Sequence, residues 1–508
     1  MRGAGERDYC IGVVGLGAMG QGIAQVAVTG GMRTLLHDAK DGAAVAGRTQ
    51  VVKRLDRLVE KQRLSADEAA AMKGNLVLAD GIGDFAACDT VVEAVVEDLD
   101  VKHKVFADLE AAVDDRAILA SNTSSIPIGA IARGCRNPGR VAGMHFFNPV
   151  PLMRLVEVIK GPGTAQEVCD RLSALGERMG RTPVQVKDAP GFLVNFGGRA
   201  FTTEGLRLQH EGVASPAQID AILRDGCGFR MGPFELMDLT GIDVNFPVSM
   251  IVYEGYMHDP RIATAPQHKL LYEAGRYGRK SGRGHFEYDE AGKRTDADAA
   301  DYAPRGAAVF RAVTVDGDAA VCRFADEIGL ELLDRDDGTS PLIACPVGED
   351  ATSFAVRTGA DPRRLVAVDL SARTETRVTL MTVPGSDRSA LDGLAAAIAA
   401  SGRSVTAIND SPGFVAQRMR AAIGNLGCYM AQIGLAAPQQ IDLALKLGLN
   451  YPMGPLEMVA DLGASTTLAV LQQLQSITGE DRYRPCPWLR RRATLGLDIH
   501  TPDGPADT

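Results

Sequence analysis

A short apolar run at residues 11–14 enters a turn with glycines at 15, 17 and 20. Helical spacing of apolar positions follows over 21–29, and a second apolar run at 34–37 ends on Asp38. Strand, glycine turn, helix and strand in that order open a doubly wound parallel sheet. Residues 43–73 carry a longer helical pattern than a crossover needs, broken near Leu64-Ser65, which predicts an inserted helical hairpin. Lys53, Arg57 and Lys61 share one face of it at four-residue spacing. Further strands are predicted at 76–78, 90–96, 117–120, 141–146, 155–159 and 184–186, and beyond Pro190 the pattern turns helical to about Tyr272.

A repeat follows. Asp188-Ala-Pro-Gly-Phe192 recurs as Asp410-Ser-Pro-Gly-Phe414, Ile219-Asp220 as Ile441-Asp442, and Met231-Gly-Pro-Phe-Glu235 as Met453-Gly-Pro-Leu-Glu457. Each pair is 222 residues apart (410 − 188, 441 − 219, 453 − 231), so the helical segment occurs twice without a gap. Between the copies, 289–306 is rich in Gly, Ala, Asp and Pro and reads as a linker. After it, 307–405 reads as an eroded copy of the first domain. Arg364 to Asp369 stands where Arg140 to His145 stands, and Arg377 to Met381 where Arg154 to Val158 stands. That alignment puts Asp369 at the histidine and Leu380 approximately at Glu157, with no glycine fingerprint ahead of them.

The expected fold is therefore α/β: a Rossmann-like doubly wound sheet over 1–187, an all-α domain over 188–290, a degenerate Rossmann-like segment over 306–405, a second all-α copy over 406–497 and a disordered tail over 498–508. At 508 residues, 45% hydrophobic and 23% charged, the chain is long enough for several cores. The formal charge of −10, from 54 basic against 64 acidic residues, argues against broad binding to nucleic acid or anionic membrane. No signal peptide or membrane span can be drawn, so the reading is cytoplasmic. Nine cysteines without a Cys-x-x-Cys pair or a His/Cys cluster predict no metal.

Gly15, Gly17 and Gly20 form the Gly-x-Gly-x-x-Gly fingerprint: the first makes the tight turn, the second admits a pyrophosphate to the backbone, the third lets the helix pack closely. Ala18 and Met19 lie between them. Asp38, 23 positions past Gly15, is placed to bond a ribose 2′-hydroxyl and to repel a 2′-phosphate, which selects NAD. His145 sits at the end of a predicted strand, where open α/β sheets hold ligands, followed by Asn148-Pro149 and by Glu157 on the next strand. A histidine with a carboxylate partner beside a nicotinamide is what alcohol oxidation needs, because a base must take the hydroxyl proton as the hydride leaves. Ser121-Asn122-Thr123-Ser124-Ser125, just past another strand end, either lines the same crevice or caps a turn.

Over Tyr9 to Tyr288 these residues resemble the NAD-dependent L-3-hydroxyacyl-CoA dehydrogenases. The resemblance is carried by Ser121-Asn-Thr-Ser-Ser, His145-Phe-Phe-Asn-Pro, Leu155-Val-Glu-Val, Pro190-Gly-Phe-Leu-Val-Asn195, Gly232-Pro-Phe-Glu-Leu-Met-Asp-Leu-Thr-Gly241 and Gly278-Arg-Lys-Ser-Gly282. It implies a catalytic pair His145 and Glu157, with Ser124 and Asn195 holding the substrate. It further implies cofactor contacts at Asp38, Glu97, Lys102, Asn122, Asn148 and Lys280, and coenzyme A contacts at Lys61 and Arg54. One departure is Phe196, where the family usually has arginine. The full length and the ending Gly479-Glu-Asp-Arg-Tyr-Arg-Pro-Cys-Pro-Trp-Leu-Arg490 are similar to a narrower group, the 3-hydroxyadipyl-CoA dehydrogenases. A substrate tail carrying a carboxylate would need a cation, for which Arg230 is the first candidate and Arg199 the second. The implied activity is oxidation of a 3-hydroxyacyl-CoA, 3-hydroxyadipyl or 3-hydroxybutyryl, to the 3-ketoacyl-CoA. The alternatives are a non-catalytic nucleotide-binding or structural protein on the same fold and a free hydroxy acid dehydrogenase. The implied partners are the acyl-CoA and an internal pseudo-dimer of helical domains, with a homodimer as a further possibility.

Overall fold

The computed structural model describes residues 4–6, 8–296 and 300–504, in two compact units. One comprises the chain up to Phe196 together with Gly434–Leu449; the other comprises Gly197–Ile433 and the chain from Asn450 on.

The first unit is built on eight strands: β1 (Cys10–Val14), β2 (Arg33–His37), β3 (Leu76–Leu78), β4 (Thr90–Glu93), β5 (Ile118–Ser121), β6 (Val141–Phe146), β7 (Leu155–Lys160) and β8 (Thr182–Lys187). Their order is β3-β2-β1-β4-β5-β6-β7-β8. All eight predicted strands are present, but β4 stops at Glu93 instead of running to Val96, because the Val95 N–H turns back to the Glu93 carboxylate at 2.7 Å. Central strands such as β4 and β5 are buried along their whole length, as expected where helices cover both faces. Ile23, Val26, Val51, Leu55, Met144, Val156 and Leu172 belong to one core cluster; each fully buried side chain of this kind contributes about 1.5–3 kcal/mol.

The predicted hairpin is real. Helices Ala43–Glu60 and Ala66–Gly74 are separated by a capping box in which Ser65 and Glu68 bond each other's backbone N–H, at the break the pattern showed. β6 and β7 are antiparallel while every other pairing is parallel. The chain between Phe146 and Leu155 is too short for a parallel crossover. The reversal sets His145 directly opposite Glu157. Helix Pro438–Leu449, from the second copy of the helical repeat, belongs to this unit and packs on β7 and β8, and Lys187 N–H donates to Leu435 C=O at 2.9 Å just before it.

The second unit contains a smaller sheet of β9 (Arg311–Thr314), β10 (Glu331–Leu332), β11 (Leu342–Ala344), β12 (Leu365–Val368), β13 (Arg377–Thr382) and β14 (Ser404–Ile408), in the order β10-β9-β11-β12-β13-β14. The last four repeat β5 to β8, including the antiparallel step between β12 and β13. Asp188 accepts from Ile128 and Gly129 N–H in one sheet, and Asp410 from Ala351 and Thr352 N–H in the other. β9 pairs directly with β11, so the counterpart of β4 is gone. The register also corrects one position: Thr379, not Leu380, faces Asp369, whose N–H donates to the Thr379 carbonyl at 3.0 Å. Asp369 keeps the histidine's place.

In the helical part of this unit, Arg199–His210 packs on Ala416–Gln432. Glu204, fully buried, accepts from Arg418 at 2.5 Å, Arg482 at 3.0 Å and the Tyr483 hydroxyl at 2.8 Å. The expected disordered tail at 498–508 is corrected for 498–504. Ile499 is buried and its carbonyl accepts from Trp488 Nε1, while the Arg492 guanidinium bonds Thr501 C=O and Asp503. Residues 505–508 lie outside the described residues.

Candidate active site

The glycine turn has the geometry its sequence requires. Gly15 sits at φ +91°, and a Cβ there would stand 2.5 Å from the Ala94 carbonyl oxygen; a Cβ at Gly20 would collide with the carbonyl of Gly15; Gly17 faces open space. Gly17 caps helix Ala18–Thr29, in whose first turn Ala18 and Met19 lie, so free N–H groups and the positive helix end meet at the opening. Asp38 follows β2, its carboxylate held by Leu16 N–H at 2.7 Å and Lys40 N–H at 2.9 Å. A cavity of about 520 Å³ is lined by Gly15, Gly17, Asp38, Val95, Val96 and Val105. Apolar walls for an adenine, an acceptor at the rim for a ribose and a glycine opening for a pyrophosphate fit NAD. Arg54 is directed here: it donates to Gln21 Oε1 at 3.1 Å, and Gln21 in turn donates to the Leu16 carbonyl. Lys61, by contrast, is exposed at the end of the same hairpin helix, as are Lys53 and Arg57.

His145 is buried and its Nδ1 lies 2.7 Å from Glu157 Oε2. Glu157, with no exposed surface, accepts from Leu193 N–H at 3.1 Å and Val194 N–H at 2.9 Å through its other oxygen. A carboxylate on Nδ1 keeps the proton there and leaves Nε2 as the basic nitrogen. The rings of Phe147 and Phe192 stand 4.5 and 5.9 Å from the imidazole, limiting its solvation. Asn195 Nδ2 donates to the Ser124 carbonyl at 3.5 Å, which brings the two substrate-holding candidates together. Asn122 accepts from Phe146 N–H, beside the histidine, and Asn148 is exposed next to it.

Glu97 and Lys102 do something the sequence pattern did not disclose. Glu97 accepts from Thr123 and Ser125 hydroxyls and from Ser124 and Ser125 N–H, so its carboxylate organises the whole Ser121–Ser125 turn. Burial opposes its ionisation, but the Thr123 hydroxyl, Lys102 and the Ser124 N–H together hold it below the usual carboxylate range. Lys102 is itself buried, 2.7 Å from Glu93 and 3.2 Å from Glu97, and Glu93 also accepts from Ser121 at 2.6 Å. Glu93 was missed because nothing in Val91-Val-Glu-Ala94 marks a strand-end carboxylate as paired; Lys102, nine residues on, was the available signal. Lys280 belongs to the second unit, in an ion pair with Asp243. Arg230 is exposed there, whereas Arg199 is buried, donating to Ser249 Oγ at 2.7 Å.

The corresponding place in the second sheet is closed. Gln417, which the repeat aligns with Asn195 (195 + 222), donates to Asp369 at 3.3 Å and to Pro346 C=O, and accepts from Gly348 N–H. Burial raises the Asp369 pKa.

A strand-end histidine oriented by a carboxylate, on a sheet whose first turn fits a dinucleotide, defines a dinucleotide-dependent dehydrogenase. The family model for the 3-hydroxyacyl-CoA dehydrogenase NAD-binding domain matches residues 10–189, and that for the C-terminal domain matches twice, at 191–288 and 413–504. The chain is 37% identical over 489 residues to the 3-hydroxyadipyl-CoA dehydrogenase of Escherichia coli (strain K12), covering 96% of this chain and 97% of that protein. The crystal structure of a 3-hydroxybutyryl-CoA dehydrogenase from Escherichia coli K12 substr. MG1655 superposes with a TM-score of 0.85 at 36% identity, over 96% of this chain and 99% of that one. The human mitochondrial hydroxyacyl-coenzyme A dehydrogenase is 36% identical over 54% of this chain and 90% of its own length. The chain belongs to the 3-hydroxyacyl-CoA dehydrogenase family. Its reaction is the NAD-dependent oxidation of a 3-hydroxyacyl-CoA to the 3-ketoacyl-CoA.

Proposed function

We propose that His145 is the general base of this reaction, Glu157 its orienting partner, and Ser124 and Asn195 the groups that hold the substrate oxygens. The 2.7 Å contact between His145 Nδ1 and Glu157 carries the reading, because it leaves Nε2 as the proton acceptor and places a charge where the imidazolium forms. Bound NAD supplies the hydride acceptor. His145 takes the 3-hydroxyl proton at Nε2 as the carbinol hydride departs, and in the ketone-reducing direction returns it. Ser124 and Asn195 fix the 3-oxygen or thioester carbonyl in reach of that nitrogen, a positioning effect. The cofactor contacts are the glycine turn from Gly15 to Gly20, Asp38, Asn122, Asn148 and Lys280. Glu97 and Lys102 support them by holding the Ser124 turn, and Lys61 and Arg54 face the nucleotide end of coenzyme A and the glycine turn.

For the acyl group, 3-hydroxyadipyl-CoA is the first candidate, supported by the near-full-length relative of that name. Its tail carboxylate would be met by Arg230 or, deeper, by Arg199. Domain limits follow the sequence reading: 1–187, 188–290, 306–405 and 406–497. The two helical copies act as an internal pseudo-dimer, supported by the Glu204–Arg418 pair. No helix among the described residues is long and apolar enough to cross a membrane. Among them, no group of three or more His, Cys, Asp or Glu residues could hold a metal ion.

NADH absorbance with 3-hydroxybutyryl-, 3-hydroxyhexanoyl- and 3-hydroxyadipyl-CoA, set beside the free hydroxy acids, tests the assignment. Turnover of the thioesters alone is expected, with the adipyl thioester most efficient. Should the Arg230→Met/Arg199→Met pair leave the adipyl-to-butyryl efficiency ratio unchanged, the tail assignment is wrong.

A further inference from the structure

Glu157 takes its position from two sources: the strand it lies on and the Leu193-Val194 backbone, whose N–H groups both donate to Oε1. The same two places are touched by helix Pro438–Leu449 of the second half. A methyl group at Gly448 would stand 3.0 Å from both γ-carbons of Val194 and 3.1 Å from Leu155 Cδ2. A side chain there would press on both neighbours, which would have to give by a few tenths of an ångström. Leu155 precedes Glu157 by two residues, so on β7 the two side chains share a face of the sheet. The segment before the helix is tied to β8 by the bond from Lys187 N–H to Leu435 C=O. The first copy makes the reciprocal visit. Gly226, the position equivalent to Gly448 (448 − 222), accepts from Arg373 N–H at 2.9 Å, and a methyl there would stand 3.1 Å from Ala372 Cβ, beside the second sheet. Only one of the two visits reaches a complete histidine–glutamate pair.

We propose that helix Pro438–Leu449 is a positioning element of the active site: Gly448, through Val194, sets the Glu157 carboxylate and hence the His145 ring. The half of the chain whose own site is closed thereby completes the working one. The inference rests on the reading of His145 and Glu157 as the catalytic pair, and His145→Ala in the same series tests that reading separately.

Gly448→Ala is expected to lower kcat roughly tenfold or more, as small misplacements of catalytic groups do, while the Kd for NADH stays within twofold. Val194→Ala/Gly448→Ala removes the two Val194 methyls the new Cβ would press on and should recover most of the loss. A contact that only stabilises the fold would lower Tm and leave kcat alone, so a Gly448→Ala enzyme with kcat within twofold of the parent overturns the proposal. Equal impairment in the single and double variants overturns it as well. If Gly448→Ala does not fold, Leu445→Ala, which loosens the same buried helix without adding bulk, must lower kcat at constant NADH affinity for the proposal to stand. If His145→Ala turns over normally, the underlying reading fails; if it is inactive and Gly448→Ala is normal, only this inference fails.

Discussion

Arg418 donates to Glu204 at 2.5 Å with neither side chain open to solvent, so one charged pair joins helices from the two repeats. The repeat equivalents of these positions are Phe196 (418 − 222) and Leu426 (204 + 222), so the pair occurs once and its mirror positions are apolar. Phe196, unusual for the family beside Asn195, thus has its missing arginine in the other copy. Arg418→Met should destabilise the protein by about 3–5 kcal/mol, because a buried carboxylate loses a partner. Glu204→Met added to it should recover part of that loss. Urea unfolding of the single and double variants checks this; strictly additive losses would show that the pair carries no coupling.

His145→Ala should bind NADH nearly as the parent does and lose roughly 10² to 10⁴ in kcat, the usual effect of removing a positioned base. Glu157→Gln keeps the imidazole and should lose less. Fluorescence titration with NADH and initial rates decide both, and wild-type turnover by His145→Ala would remove it from the mechanism.

Asp38 should make NAD the preferred cofactor, since a 2′-phosphate would meet a carboxylate already fixed by two backbone N–H groups. Asp38→Ala should narrow the preference at some cost in stability from the freed Leu16 N–H. The measurement is kcat/KM for NAD and NADP in both enzymes; equal efficiency in the parent would displace Asp38 from the ribose.

Acid should weaken the second unit. Burial lowers the pKa of His268 from 6.5 to about 3, with Arg199 adding to the effect, and burial does the same to His285, aided by His268 and Arg276. Both rings are therefore neutral in the fold. Below about pH 6.5 the unfolded chain binds protons that the fold refuses, so stability falls with falling pH until about pH 3, by on the order of 1 kcal/mol per pH unit for each ring. His268 has a neutral ring's partners, Asn245 Oδ1 at 2.6 Å from Nε2 and Thr264 Oγ1 at 2.9 Å from Nδ1. His285→Phe should flatten the decline of Tm between pH 7 and 5, and an unchanged slope would exclude His285 as a source.

The first sheet was legible because its buried strands are apolar runs and its turns are written in glycine. The histidine–glutamate pair was legible because His145 and Glu157 lie on strands joined by a short connection, which determines their opposition. The Glu93–Lys102–Glu97 network was not, since a buried charged pair leaves no periodic trace. The register of Thr379 escaped because the facing residues lie 12 apart in the first sheet (157 − 145) and 10 apart in the second (379 − 369). The 498–504 segment has a loop's composition and is held by side-chain bonds from Trp488 and Arg492, which no pattern announces. The exchange of helices between the repeats escaped for a different reason: the repeat shows that a helix recurs, not which sheet it covers.

That exchange has a consequence for biosynthesis. The first unit's contiguous chain ends at Phe196, but its last helix ends at Leu449, 253 residues later (449 − 196). At roughly 5–20 residues per second, the ribosome needs about 10–50 s to supply it. Through that interval the nascent dinucleotide-binding sheet carries bare apolar surface over β7 and β8, a natural substrate for chaperones that shield growing chains, and the enzyme cannot mature domain by domain from its N-terminus.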